Sequence, residues 1–338
     1  MVNYMYKYLF IIVILVGLIL TSCENPYADE EGYWVYSLSI INADGTGLTH
    51  LTTEVTKGFF TPDGTKIIGG SSQSLWSIDI DGSNFVILND SLGNNDELTF
   101  RPDGEKIVFS SHDYYNADLY LMNIDGSNIQ NLTNTLQIAE SKPQFSPDGN
   151  FILYIKFDRT DIENQIYSIC YRDIEGTFEN EIVSFVYGID GLRYDLALWA
   201  GSEKIIYAFI GYPSVSSRGI FSVNIDGTDN TQLFEGYIHS HSFSISQDGS
   251  KIVFEFDGDI ILLNSDGTGL INLGSGRNPI ISPNGEKITF TTSQDLTIMN
   301  IDGSDVITLE EFISSDFHEF SWDSEKIVFT DGEVFQGD

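Results

Sequence analysis

The chain is short of positive charge, of thiols and of histidine. Against 50 Asp and Glu it carries only 16 Lys and Arg, a formal net charge of −34 over 338 residues. A body this acidic argues against nucleic acid and anionic lipid headgroups as partners, because the approach of every phosphate is opposed. Basic peptides, cationic ligands and metal ions remain compatible with it. No uncharged apolar run reaches the ~20 residues of a membrane-spanning helix. The longest, Leu9–Leu20, has the length of a secretory signal core. No Gly-x-Ser-x-Gly elbow occurs, which argues against a serine hydrolase. Five histidines leave little material for a metal centre.

The two cysteines have different settings. Cys23 closes "LTSC" (Leu20–Cys23), directly after the apolar run. These four residues resemble the lipobox of bacterial lipoproteins, in which a signal peptidase cuts before a cysteine that becomes acylated. The resemblance implies a signal peptide over 1–22, lipidation at Cys23, an acidic tether over 23–32 and a membrane attachment made by lipid alone. Each buried acyl methylene contributes ~0.8 kcal/mol to such an anchor. An ordinary secretory signal with a chance cysteine is the other reading. Removing 1–22, whose only charge is Lys7, takes the net charge from −34 to −35. Cys170 then has no partner for a disulfide. Its context, "IYSICY", is an apolar strand-like run that predicts a buried, inert thiol.

What the chain has in abundance is a repeat. Copies of "LMNIDGSN" place a glycine at Gly45, Gly82, Gly126, Gly176, Gly227, Gly267 and Gly303. Between them runs a second motif, "TPDGTKIIG", "RPDGEKIVFS", "SPDGNFILY", "SQDGSKIVFE" and "SPNGEKITF", with degenerate copies at Ala200 and Trp322. Periods near 40 to 50 residues with strand-like segments predict an all-β propeller, one four-stranded antiparallel sheet per period. In each unit the second and third strands are apolar on nearly every residue, as a sheet covered on both faces requires. The body, 33–338, opens with a third-and-fourth strand pair near Tyr33–Leu51 and closes with a first-and-second pair near Phe317–Thr330. Paired, these halves make a seventh blade and close the ring. Six blades with an appended hairpin is the lesser alternative.

Asp-Gly between strand runs is the strongest short hairpin signal, since Gly accepts positive φ and Asp bonds its own turn backbone. A calcium loop instead needs acids on alternating positions with Gly sixth, and "DIDGSN" at Asp79 places Gly fourth. The repeats are therefore expected to be turns rather than cation sites.

The paired motifs resemble the TolB-like propeller repeats, which also occur beside the hydrolase domain of prolyl-oligopeptidase relatives. The resemblance covers roughly 33–330 and implies fold rather than activity. TolB has six blades behind an α/β domain, whereas here the repeat is written seven times.

A site is sought where the repeat does not demand a residue type. Four positions before each second-motif glycine, or its equivalent, stand Phe60, Phe100, Phe145, Leu198, Ile245, Ile281 and Phe320, a packing position. Seven and eight before it the residues are polar and mixed. They include Lys57, Glu97, Lys142, Tyr194, Asp195, His241, Arg277 and Asp316. Six basic residues occupy the repeat's own lysine position, and three others, Lys57, Lys142 and Arg277, share this register. They are candidates to bind a small anionic or carboxylate-bearing ligand at a channel mouth. A hydrated channel with mutually offsetting charges is the competing reading. Longer loops carry Tyr114, Tyr115, Arg159, Tyr212 and Arg218 as a candidate rim.

Two functional readings stand. One is a non-catalytic, membrane-anchored envelope lipoprotein, monomeric in its body, that binds an envelope protein or small ligand without a cofactor. It sits in the periplasm or at the cell surface. The other is a lyase or lactonase acting on a carbohydrate through a channel metal, as oligogalacturonate lyases with similar repeats do. For that metal only His241 and His318 lie on inner strands, with His239 in the preceding loop. No catalytic or metal-ligating residue is assigned.

Overall fold

The computed structural model describes residues 33–335 except 54, 56, 72–73, 93, 113–115, 188–192, 211–217, 239–242, 294 and 311–316. Among the described residues the regular structure is all strand, with no helix. Val35–Glu333 forms one compact unit. Residues 1–32, including Cys23, lie outside the described residues.

Five sheets have four strands each. The remaining sheet, of eight strands, is two four-stranded antiparallel halves, 94–131 and 138–187, bridged by a parallel pairing of Ala117 with Ala139. One four-stranded sheet draws on both ends of the chain, in the order Thr49–Thr52, Tyr33–Asn42, Lys326–Phe335, His318–Phe320. We number the other units first to sixth in chain order and call this one the terminal sheet.

Burial follows the strand chemistry. The second and third strands of the fifth unit, Lys251–Phe256 and Asp259–Asn264, are each buried at four consecutive positions. Both faces of such a strand must therefore be covered, and the cover comes from the next unit. Seven apolar clusters do this, each drawn from two units. Ile68 and Leu75 of the first meet Phe100 and Phe109 of the second. Val108 of the second meets Tyr154 and Cys170 of the third. The series continues through third with fourth, fourth with fifth and fifth with sixth. Leu296 and Ile298 of the sixth pack with Phe320 and Phe329 of the terminal sheet, whose Leu38 and Val328 pack with Trp76 of the first.

The repeated glycines serve this packing as well as the turn. Gly126 has φ of 85°, and a Cβ on it would come within 2.8 Å of the Leu88 carbonyl in the preceding unit. Any side chain there is excluded twice, by backbone conformation and by contact.

The fourth unit departs from the sequence register. Its turn closes with Ala200 N–H donating to Lys204 O, one residue shorter than the Arg101 to Lys106 turn of the second unit. Trp199 pairs with Ile205 where Phe100 pairs with Ile107. Trp199 therefore holds the packing position expected of Leu198, and it is buried while Leu198 is half-exposed. A one-residue slip exchanges the two faces of a strand. The entry register of this unit moves with it, from Tyr194 and Asp195 to Asp195 and Leu196.

Candidate functional site

In each unit the first and third strands end at one edge, so both motif turns share it, and the first strands begin at the opposite edge. The two edges differ in chemistry. At the turn edge ten Asp side chains share one task. Asp125 Oδ1 accepts the Ser127 amide at 2.9 Å and the Ser127 hydroxyl at 2.6 Å, and Asp44, Asp81, Asp226, Asp266 and Asp302 repeat this with Ser or Thr two residues on. In the second motif Asp63, Asp148, Asp248 and Asp323 accept the amide two residues on and the hydroxyl of the Thr or Ser two residues before. Side-chain hydroxyl bonds hold all ten carboxyls below the ordinary carboxylate range. These are turns, as the Asp-Gly spacing predicts.

A 320 Å³ depression lined by Asn42, Gly47, Asp81 and Lys326 lies among these turn residues, between the terminal and first units. Its Lys326–Asn42 pair recurs as Lys106–Asn123, Lys251–Asn264 and Lys287–Asn300, which marks this part of the lining as repeat architecture.

The entry edge is irregular. Pairing of the first with the second strand slips between Asn94 and Glu97, Ser141 and Gln144, Tyr194 and Leu196, and Arg277 and Ile280. Bulges of this kind re-aim side chains and concentrate at rims and sites. Lys142 lies in one with φ of 54°. Its amide donates to Glu97 Oε2 at 2.8 Å, and the Ser110 hydroxyl donates to the same oxygen at 3.1 Å. Glu97 thereby ties the second unit to the third and holds the Lys142 backbone. Arg277 opens the sixth unit's first strand and is exposed.

Lys57 has aromatic company. Its Nζ stands 5.8 Å from the ring centroids of both Phe59 and Phe317. Phe317 belongs to the terminal sheet's approach and Phe59 to the first unit. Next to the buried positions of each first strand one residue faces out half-buried: Phe59, Thr99, Gln144, Leu198, Ser244, Ile280 and Glu319. Only Glu319 is charged. Burial pushes its carboxyl up to about 7, against the Phe320 amide and the Lys57 charge. Glu140, also on an entry strand, is buried and accepts the Thr135 hydroxyl. Burial pushes it up to about 7, opposed by Thr135 and reinforced by Asp118. Neither acid was singled out from the sequence. The signal for Glu319 was there, as the one charge in its ring.

Of the rim, Arg159 caps the Phe157 ring at 5.5 Å, and Arg218 offers its carbonyl to Gln232. Tyr114, Tyr115, Tyr212, His239, His241 and Asp316 lie outside the described residues, as do the side chains of Tyr194 and Asp195. Cys170 is buried, and burial pushes its thiol up to about 12, which makes it inert at neutral pH. His318 is buried beneath the entry edge. Among the described residues no three His, Cys, Asp or Glu side chains come together as metal ligands. No described helix is long and apolar enough to cross a membrane.

No family model matches the chain. An uncharacterized protein of Agrobacterium fabrum is 29% identical over 145 residues, 38% of this chain and 48% of that protein. Dipeptidyl-peptidase 5 of Porphyromonas gingivalis is 22% identical over 181 residues, half of this chain and 25% of that enzyme. The chain thus spans about half or less of the curated relatives it matches. Among solved structures, an oligogalacturonate lyase in complex with manganese matches with a TM-score of 0.66 at 12% identity, covering 92% of this chain and 99% of that one. TolB of Acinetobacter baumannii matches with a TM-score of 0.50 at 18% identity, covering 82% and 64%. At these identities the likeness shows a shared propeller-type fold and nothing of activity.

Proposed function

We propose that the chain is a closed seven-bladed propeller that binds a ligand, without catalysis, at the entry edge of its first strands, and that Cys23 tethers it to a membrane of the cell envelope. Closure is supported by the series of seven apolar clusters, in which the terminal sheet packs with both the sixth and the first units. The observation that carries the functional reading is the contrast between the edges: one repeats its chemistry in every unit, and the other varies it. Binding sites on propellers lie on such variable edges. Lys57, Lys142 and Arg277, with Glu97 holding the Lys142 backbone, are the residues proposed to meet a carboxylate-bearing ligand, with Arg159 and Arg218 as the proposed rim.

A metal-dependent lyase is the second reading, favoured by the near-complete overlap with the oligogalacturonate lyase. The described residues do not fit a metal, so no step through one is derived.

Titrating succinate and citrate into the full chain, followed by calorimetry, tests the binding reading. Replacing Lys57, Lys142 and Arg277 together with Ala is expected to abolish binding while moving the melting temperature by no more than about 2 °C, as for substitutions outside the core. Equal binding by parent and variant, or unfolding of the variant, contradicts it. Metal analysis of the purified protein decides for or against the lyase.

A further inference from the structure

The Lys57 ammonium is held by two aromatic rings. The rings of Phe59 and Phe317 meet edge to face, with centroids 5.6 Å apart at 84°. The Lys57 ammonium lies equally far from both, within the roughly 6 Å over which a ring quadrupole attracts a positive charge. Glu319 stands two residues beyond Phe317, half-buried, and the Lys57 charge acts on its carboxyl. Lys57 and Phe59 come from the first unit, Phe317 and Glu319 from the terminal sheet, so the cluster is assembled only when the two ends of the chain meet.

The backbone beneath is fixed. A Cβ on Gly69 would fall 2.2 Å from the Lys57 carbonyl and 2.3 Å from the Trp76 ring. The glycine therefore lets the Lys57 backbone press against its neighbour strand, and only the flexible side chain delivers the ammonium. All four residues are half-buried and partly desolvated. Two aromatic rings with a carboxylate close enough to act on the charge between them are chemistry that recognises an alkylammonium. The net charge of −34 raises the concentration of cations near the protein surface.

We propose that Phe59, Phe317 and Glu319 form a binding site for a primary alkylammonium group, and that Lys57 fills this site from within the chain. Lys57 is then an intramolecular competitor, present at high effective concentration. A ligand ammonium binds by displacing it. The proposal is independent of carboxylate recognition, because its probe carries no anion, and failure of succinate and citrate to bind leaves it untouched.

The test titrates n-butylammonium into the full chain, the Lys57→Met variant and Lys57→Met combined with Glu319→Gln, with n-butanol as the uncharged control. Methionine keeps the aliphatic stem and removes the competitor. Lys57→Met is expected to bind n-butylammonium at least tenfold tighter than the parent, and the double variant is expected to lose that gain. n-Butanol is expected to gain nothing. If Lys57→Met does not melt cooperatively, Lys57→Gln takes its place. Equal affinity in parent and single variant, retention of the gain without Glu319, or an equal gain by n-butanol each overturns the proposal.

Discussion

The acids at the two edges of the sheets behave in opposite ways. At the turn edge, Asp125 and its counterparts are exposed, accept an amide and a hydroxyl each, and are held below the ordinary carboxylate range. At the entry edge, Glu140 and Glu319 sit in partly dry surroundings, and burial pushes both up to about 7. The same residue class thus supports the frame when ionised at one edge and opposes folding when ionised at the other. A repeat protein can hold its turns to one solution because each copy solves the same geometric problem. It is free to diverge where no turn has to be made, and perturbed acids gather there.

The frame breaks most completely if the terminal sheet is removed. Deleting residues from Phe317 onward strips the partner strands from Tyr33–Asn42 and uncovers Trp76 on one side and Leu296 on the other. Loss of cooperative unfolding, with aggregation through the opened strand edges, is the expected result by calorimetry and light scattering. An unchanged melting transition in a soluble truncation would favour six blades with an appended hairpin.

Glu140→Gln sharpens the contrast at the entry edge. The carboxyl's folded value, about 7, lies above its ordinary value of 4.5. Its contribution is fully present below pH 4.5 and is lost as pH rises through 7. Gln can still accept the Thr135 hydroxyl, so the variant is expected to be more stable than the parent by roughly 2 kcal/mol at pH 8 and equal to it near pH 4.5. Urea denaturation at the two pH values checks this, and a variant weaker at pH 8 contradicts it.

The smallest effect belongs to the turn edge, with the opposite sign. Asp125→Ala removes bonds that hold an exposed carboxyl below its ordinary value. The loss of stability is expected at pH 7 and should fade as pH falls below the carboxylate range, where the parent loses the same contribution. A deficit that persists unchanged at pH 2 would mean the turn needs the side chain for some other reason.

Most of the fold was readable from the repeat itself, because alternating motifs fix strand count, turn position and the pairing of the chain ends before any contact is known. The fourth unit shows the limit. "AGSEK" aligns by its lysine, which predicts Leu198 in the packing position, but the turn closes one residue early and puts Trp199 there. Nothing in a degenerate motif states the length of its turn. At the entry edge Lys57, Lys142 and Arg277 were found by register, yet their surroundings were not. That Phe317 would stand beside Lys57, and that Glu97 would anchor the Lys142 amide, depends on contacts between units far apart in sequence.

Native-state amide hydrogen exchange, read by mass spectrometry across the whole chain, tests the central claim that all seven units form one frame. The interior strands of the terminal sheet, around Leu38–Ile40 and Ile327–Phe329, are fully buried like Ile107–Phe109 of the second unit. The account predicts that these segments exchange together, at the rate of global unfolding. Exchange of the terminal sheet well ahead of the second unit, with the other six remaining protected, would contradict it.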